Sequence, residues 1–351
     1  MSESSQHPVV RAAQRGDVQM LLALLPAYPL KEWYKAAVWV AACNDHVPVI
    51  EVLCTVCKLN LNKNCNEFGW RPLWAAARYG SAAAAQLLVR AKADAKCVVG
   101  HRGHFTHKWP TAAMVAARYG HVHVLRALAQ EGVDIHGWWG TATLQAAVEF
   151  GHTDVVEELL RADAKAEKDA ENKPATKPVT KPAKKPATKL AEKLEAAHTA
   201  ASTGRCDILQ RLVMAGVSVN SLTQYMRTLL HTAAIHDRAN VVRWLVRAKA
   251  DVNLQSYEGD GTAAHCAANC GHTSIVGTLV RAKVHVDTRD KQGRTLTIVA
   301  ADHGQGRTVA LLLRCKADVD LRDQRGRTPF TAELGYSVSL QRHNAGASEA
   351  W

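Results

Sequence analysis

Residues 227–253 read RTLLHTAAIHDRANVVRWLVRAKADVN, and residues 261–287 read GTAAHCAANCGHTSIVGTLVRAKVHVD. Residues 294–320, RTLTIVAADHGQGRTVALLLRCKADVD, and 327–337, RTPFTAELGYS, continue the same frame. Their leading threonines, Thr228, Thr262, Thr295 and Thr328, lie 34, 33 and 33 residues apart. A period of this length is the mark of a repeat architecture rather than of one globular core. Upstream, residues 71–96, 110–136, 142–163 and 195–220 carry the frame, and 9–25 and 36–54 are weaker copies.

Each copy predicts a short helix, a tight turn and a longer helix. A small pair such as Ala76-Ala77 or Ala267-Ala268 permits close helix packing. The glycines that follow (Gly80, Gly120, Gly151, Gly204, Gly271 and Gly304) suit a turn that needs positive φ. The second helix spaces its apolar residues at helical intervals, as Val241, Val242, Leu245 and Val246 do, and ends on Arg or Lys. One such pair cannot bury its apolar face alone, so neighbours must stack into a solenoid. The expected fold class is therefore all-α, a solenoid of about ten helix-turn-helix units.

Composition narrows the function. Apolar residues make up 47% of the chain, enough for a core, and no run of eighteen apolar residues suggests a membrane span. The start, MSESSQHPVVRAAQRGD, lacks a basic segment followed by an apolar stretch, so a secretory signal is not expected. Nine irregularly spaced cysteines suit reduced thiols, which points to the cytoplasm or nucleus. The net charge is +12, of which the six lysines of KPATKPVTKPAKKPATK (Lys173 to Lys189) supply half.

The pattern resembles the ankyrin repeat, whose signature is Thr-Pro-Leu-His-x-Ala-Ala-x-x-Gly-His; the nearest copies are TLLHTAAIHD and TAAHCAANCGH. The resemblance covers nearly the whole chain outside the Lys-Pro insert. It implies a scaffold or adaptor that binds protein, with no catalytic site and no cofactor. Lys92, Lys249, Lys283 and Lys316 depart from it, standing where the family usually has a left-handed glycine, while Gly132 and Gly216 keep it. A lysine there either accepts a cost of about 1 kcal/mol or belongs to a different turn.

In the family, the two residues after Ala-Ala and the finger tips face the concave side, where partners dock. The resemblance thus implies a partner-binding stripe of Arg78, Tyr79, Arg118, Tyr119 and Phe150, with Glu149 beside it. The fingers would add Trp70, Phe105, Trp109, Trp138 and Trp139. Aromatics and arginine are the types that dominate binding energy at interfaces. The equivalents in the second half (Ser202-Thr203, Ile235-His236, Asn269-Cys270 and Asp302-His303) are less adhesive.

Other constellations read as structural. Cys54 and Cys57, with Cys65 nearby, are expected as core residues of a second helix. Cys97, His101, His104 and His107 fall in a finger enlarged by seven residues, read as solvated. His265, Cys266, Cys270 and His272 look like metal ligands until alignment makes the two histidines the family's own, expected to hydrogen-bond locally. DHGQGRT lacks the spacing of a phosphate loop, and no nucleophile elbow or zinc-hydrolase motif is present.

The Lys-Pro insert adds twenty residues to one finger. As polyproline II its seventeen residues would reach about 50 Å, against about 10 Å between packed helices. It reads as a spacer between an N-terminal block, 1–165, and a C-terminal block, 191–343, with the linker at 166–190 and a tail at 344–351. The alternatives are a non-specific nucleic-acid or acidic-surface binder acting through these lysines, or a regulatory subunit of an enzyme complex. A monomer with a protein partner and no membrane association is the expected state.

Overall fold

The computed structural model describes residues 7–28, 31–62, 71–96, 111–136, 141–171, 186–223, 226–256, 259 and 261–333. Among these residues there are eighteen helices, no strand, and two isolated β-bridges, Leu222 to Thr228 and Gln255 to Thr262. Contacts divide the chain into two compact units, Met1–Glu192 and Lys193–Trp351.

The first unit alternates short first helices with second helices: α1 (Pro8–Arg15), α2 (Val18–Leu24), α3 (Lys31–Cys43), α4 (Val47–Thr55), α5 (Pro72–Tyr79), α6 (Ala82–Arg90), α7 (Ala112–Arg118), α8 (Val122–Gln130), α9 (Thr141–Phe150) and α10 (Thr153–Glu171). Helix α11 (Pro186–Thr203) contains the boundary between the units. The second unit continues with α12 (Cys206–Met214), α13 (Leu229–Ile235), α14 (Ala239–Arg247), α15 (Ala263–Asn269), α16 (Thr273–Arg281), α17 (Leu296–Asp302) and α18 (Gly306–Arg314). Helices α10 and α11 reach into the Lys-Pro region from both sides, and residues 172–185 lie outside the described residues.

First helices stack on first helices (α1, α3, α5, α7, α9; then α13, α15, α17), and second helices on second helices. The small pair makes this approach possible. Ala76-Ala77, Ala116-Ala117, Ala233-Ala234 and Ala267-Ala268 are fully buried in it. The second helices contribute the large side chains, Leu53, Leu88, Leu128, Leu159, Leu212, Leu245 and Leu279 among them, all essentially inaccessible. Each such leucine contributes about 2 kcal/mol, and its truncation to Ala costs about 2–5 kcal/mol. A single helix pair offers only one or two of them, so cohesion comes from the stack.

Local chemistry sets the helix ends. Thr111, Thr228, Thr262 and Thr295 sit in extended backbone at the start of α7, α13, α15 and α17. The Thr111 hydroxyl accepts the Met114 N–H at 3.3 Å, and that of Thr228 accepts the His231 N–H at 3.3 Å. Every first helix whose end the sequence marked with glycine stops at a left-handed residue there. In two repeats aspartate takes that place, Asp45 (φ 57°) and Asp237 (φ 56°).

The second helices resolve the lysine question. Lys92, Lys249, Lys283 and Lys316 are left-handed, with φ of 65°, 61°, 66° and 61°. At the first of them the Lys92 N–H donates to Val89 O (2.9 Å) and the Ala93 N–H to Leu88 O (2.9 Å). That is the Schellman pair of bonds, and the same pair recurs at Lys249, Lys283 and Lys316. The residue after each lysine, Ala93, Ala250, Val284 or Ala317, is buried and closes the apolar side of the motif. These turns are thus built as glycine would build them, and each lysine accepts a conformational cost of about 1 kcal/mol. Beyond the turn, a finger side chain holds the next finger's backbone. Asn220 Oδ1 accepts the Asp251 N–H at 2.9 Å, Asn253 Oδ1 the His285 N–H at 3.0 Å, and Asp287 Oδ1 the Asp318 N–H at 3.0 Å.

Lys249→Gly, Lys283→Gly and Lys316→Gly, combined, are therefore expected to stabilise the second unit by about 2–3 kcal/mol. Denaturant unfolding checks this, and an unchanged or lowered midpoint would show that the turns are not strained.

Candidate functional site

The last turns of the first helices carry the candidate residues, and their position depends on a bond between repeats. In each case the residue just after the left-handed position of one repeat reaches back. It donates to the carbonyl two residues before the left-handed position of the preceding repeat. His46 Nε2 meets Gln14 O at 3.0 Å, His121 Nε2 meets Arg78 O at 2.9 Å, and His152 Nε2 meets Arg118 O at 2.8 Å. Ser81 Oγ bonds Cys43 O at 3.1 Å, Arg238 Nε bonds Ser202 O at 2.7 Å, and His272 Nε2 bonds Ile235 O at 3.1 Å. His272 was expected to bond locally; instead it spans 37 residues, because its ring lies over the turn of the repeat before it.

The ring leaves little room beneath it. A Cβ on Gly80 would stand 2.9 Å from His121 Nδ1, and one on Gly120 would stand 2.6 Å from His152 Nδ1. A side chain at Gly80 or Gly120 would have to push the imidazole aside, on top of the cost of its positive φ. At Asp45 the reaching residue is the small Ser81, and the carboxylate caps a different helix. Asp45 Oδ1 accepts the Ala84 N–H at 2.7 Å, in the first turn of α6. At Asp237 the histidine is retained, and His272 Nδ1 lies 3.7 Å from the carboxylate.

On this frame the arginines and rings of α5, α7 and α9 interleave. The Arg78 guanidinium lies 5.1 Å from the Tyr119 ring centre, 5.6 Å from Trp74 and 5.9 Å from Tyr79. The Arg118 guanidinium lies 4.4 Å from the Phe150 ring centre. Trp39 meets Tyr79 edge to face at 6.3 Å, and Tyr119 stacks beside His121 at 6.4 Å. Such cation–π contacts contribute about 0.5–1 kcal/mol each at exposed sites. The rings nevertheless stay open to solvent: Tyr79 is 51% exposed, and Tyr119 and Phe150 are 39% exposed. Arg118 and Glu149 are exposed, and Arg78 is half-buried.

The structure thus brings together Arg78, Tyr79, Arg118, Tyr119 and Phe150 across three successive repeats. Trp70, Phe105, Trp109, Trp138 and Trp139 lie outside the described residues. The sequence reading missed Trp39 and Trp74. Both stand six residues before the left-handed turn, where His231 and His265 stand in later repeats, and that alignment is the signal that could have found them. In the second unit the equivalent positions form no such ladder among the described residues. There Asp302 is engaged by both terminal nitrogens of Arg327, at 2.6 and 2.9 Å, and His303 bonds Val299 O.

The candidate metal ligands are bound into the fold. Thr228 N–H donates to His231 Nδ1, so the His231 proton sits on Nε2, which donates to Gly261 O at 3.0 Å. His265 repeats this with Thr262 N–H and Thr288 O. Cys54 and Cys57 are half-buried, and burial pushes the Cys54 thiol up to about 11 and raises that of Cys57. Cys65, Cys97, His101, His104 and His107 lie outside the described residues. Among the described residues, no three His, Cys, Asp or Glu side chains come together as a metal site.

Stacked helix-turn-helix repeats with threonine caps and left-handed turns define a helical solenoid of the ankyrin type. Family-level comparison agrees: the description "Ankyrin repeats (3 copies)" matches residues 9–99, 95–172, 177–256 and 250–323. The chain belongs to the ankyrin-repeat family. It is 29% identical over 108 residues to the Transient receptor potential cation channel subfamily A member 1 homolog of Caenorhabditis elegans, covering 31% of this chain and 9% of that protein. It is 26% identical over 166 residues to human Ankyrin repeat and SOCS box protein 16, covering 47% of this chain and 32% of that one. The chain thus spans about a third or less of the length of these relatives. No described helix is long and apolar enough to cross a membrane.

One buried histidine is expected to make the second unit acid-sensitive. His198, on α11, is 8% exposed, and its Nδ1 lies 2.9 Å from Thr232 Oγ1. Burial, and then the proximity of His231, push its pKa down to about 4. The unfolded chain takes up this proton near 6.5. Stability is therefore fully present above pH 6.5 and is lost as pH falls toward 4, by up to about 3 kcal/mol. Burial lowers His265 in the same direction. His198→Gln should flatten the stability profile between pH 6.5 and 4 in chemical unfolding; an unaltered profile would remove His198 from this role.

Proposed function

We propose that the protein is a non-enzymatic scaffold or adaptor whose principal partner site is the arginine–aromatic ladder of α5, α7 and α9. Ankyrin repeats generally mediate protein–protein interaction. The observation that carries the narrower reading is the stacking of Arg78 and Arg118 on rings that remain open to solvent. Side chains already held in place lose less freedom when a partner arrives, which lowers the entropic cost of binding. Tyrosine and arginine are also the types that concentrate binding energy at the centre of interfaces. Tyr79, Tyr119 and Phe150 keep ring surface open to solvent for a partner to cover. The Lys-Pro segment is a spacer between the two blocks in this reading.

The test replaces Tyr79, Arg118 and Tyr119 together with Ala and compares proteins captured from lysate by quantitative mass spectrometry. The variant is expected to lose the specifically captured set while keeping the melting temperature within a few degrees. Retention of the same proteins at the same abundance would place the site elsewhere.

A further inference from the structure

The last three second helices differ from those before them in how they balance charge. In the first unit the second-helix arginines have carboxylate partners, two of them on neighbouring repeats. Arg90 pairs with Glu131 at 2.8 Å, and Arg126 with Glu158 at 2.7 Å. In the second unit, α14, α16 and α18 together hold five arginines, Arg243, Arg247, Arg281, Arg307 and Arg314, and no Asp or Glu. All five are exposed, and among the described residues none of them forms an ion pair. Nearby finger carboxylates are occupied with backbone. Asp251 accepts the Asn253 N–H, Asp287 the Asp318 N–H, and Asp318 the Asp320 N–H.

Helix stability does not account for this set. Arg247, Arg281 and Arg314 close their helices, where a cation is favoured by the dipole. Arg243 stands mid-helix, and Arg307 stands in the first turn of α18, where the dipole opposes it. Between α14 and α16 runs an open trough of about 400 Å³, lined by Arg243, Thr273, Ser274, Gly277, Thr278 and Arg281, with Ala239 and Leu311 at its edges. Gly277 occupies in α16 the position that Arg243 occupies in α14, and its missing side chain deepens the trough. A glycine inside a helix costs about 1 kcal/mol relative to alanine.

We propose that this face of the second unit binds the phosphodiester backbone of a nucleic acid, with Arg243 and Arg281 flanking the strand in the trough and Arg307 and Arg314 extending the contact. Guanidinium groups present paired N–H donors that match phosphate oxygens, and the Ser274 hydroxyl on the trough wall adds a neutral donor. The trough is open to solvent, so a phosphate backbone can reach its arginines. No aromatic ring lines it, so bases are not stacked and binding reads charge rather than sequence. It uses none of the residues of the arginine–aromatic ladder or of the Lys-Pro segment.

The test uses the full chain and a fluorescein-labelled oligo-dT strand of about 20 nucleotides, followed by anisotropy from about 50 to about 300 mM NaCl. Binding at low salt should fall steeply as salt rises. R243Q/R281Q/R307Q/R314Q should weaken it at least about tenfold at the lowest salt and flatten the plot of log K against log salt by about 3, since each phosphate contact on a single strand contributes about 0.7. The two half variants, R243Q/R281Q and R307Q/R314Q, should each give part of the loss, and circular dichroism verifies that each is folded. Glutamine at all six lysines between 173 and 189 should leave most of the binding. Three results would overturn the proposal: affinity and salt slope unchanged in the arginine variants, binding abolished by the lysine replacements alone, or arginine-dependent capture of phosphatidylserine vesicles or polyglutamate without binding of the oligonucleotide.

Discussion

The structure depends on a side chain of one repeat reaching a carbonyl of the repeat before it. Each helix pair is too short to hide its apolar residues alone, so the stack must be set at a fixed spacing. His121 on Arg78 O, His152 on Arg118 O and Arg238 on Ser202 O set that spacing from outside the apolar core. The carbonyl belongs to an orphaned helix end, which would otherwise rely on water. One bond therefore satisfies a backbone group, fixes the register of two repeats and holds the last turn of the first helix. That last turn is where Arg78, Tyr79, Arg118 and Tyr119 stand, so the geometry of the ladder follows from the same bond.

Variation at this joint follows chemistry rather than residue identity. Histidine, serine and arginine all serve as the reaching donor. Where the reaching residue is a short serine, Asp45 can replace the turn glycine and cap the next helix with its carboxylate. Lysine in place of glycine at the second turn is tolerated because the Schellman bonds are still made. The solenoid absorbs such departures because each repeat contacts only its neighbours, and a local cost of about 1 kcal/mol is spread along the stack.

The period of the threonines, the Ala-Ala pairs and the turn glycines made the helix pairs and their stacking readable from residues alone. The partners of the ladder were readable only in part. Placing Arg78-Tyr79, Arg118-Tyr119 and Phe150 on one face needs only the register, and the side chains do meet there. That Arg78 would lie among three rings depends on the rotation of successive repeats, which no pattern in one sequence specifies. Trp39 and Trp74 were missed because they occupy the position where other repeats place a buried histidine. The long reach of His272 was missed for a related reason, since the repeat signature places it beside its own turn and says nothing of the repeat before. The charge contrast between the last three second helices and the earlier ones was present in the sequence, but it became interpretable only once the carboxylate partners of Arg90 and Arg126 could be seen.

Hydrogen exchange on His121→Ala tests the joint most directly. Removing the imidazole should cost about 1–2 kcal/mol, the worth of a partly buried hydrogen bond and its packing. It should also speed exchange at the last turns of α5 and α7 while leaving α14 and α16 unchanged. Unaltered stability, with exchange in α5 and α7 as slow as before, would show that the stack holds its spacing without the bridge and would contradict the account.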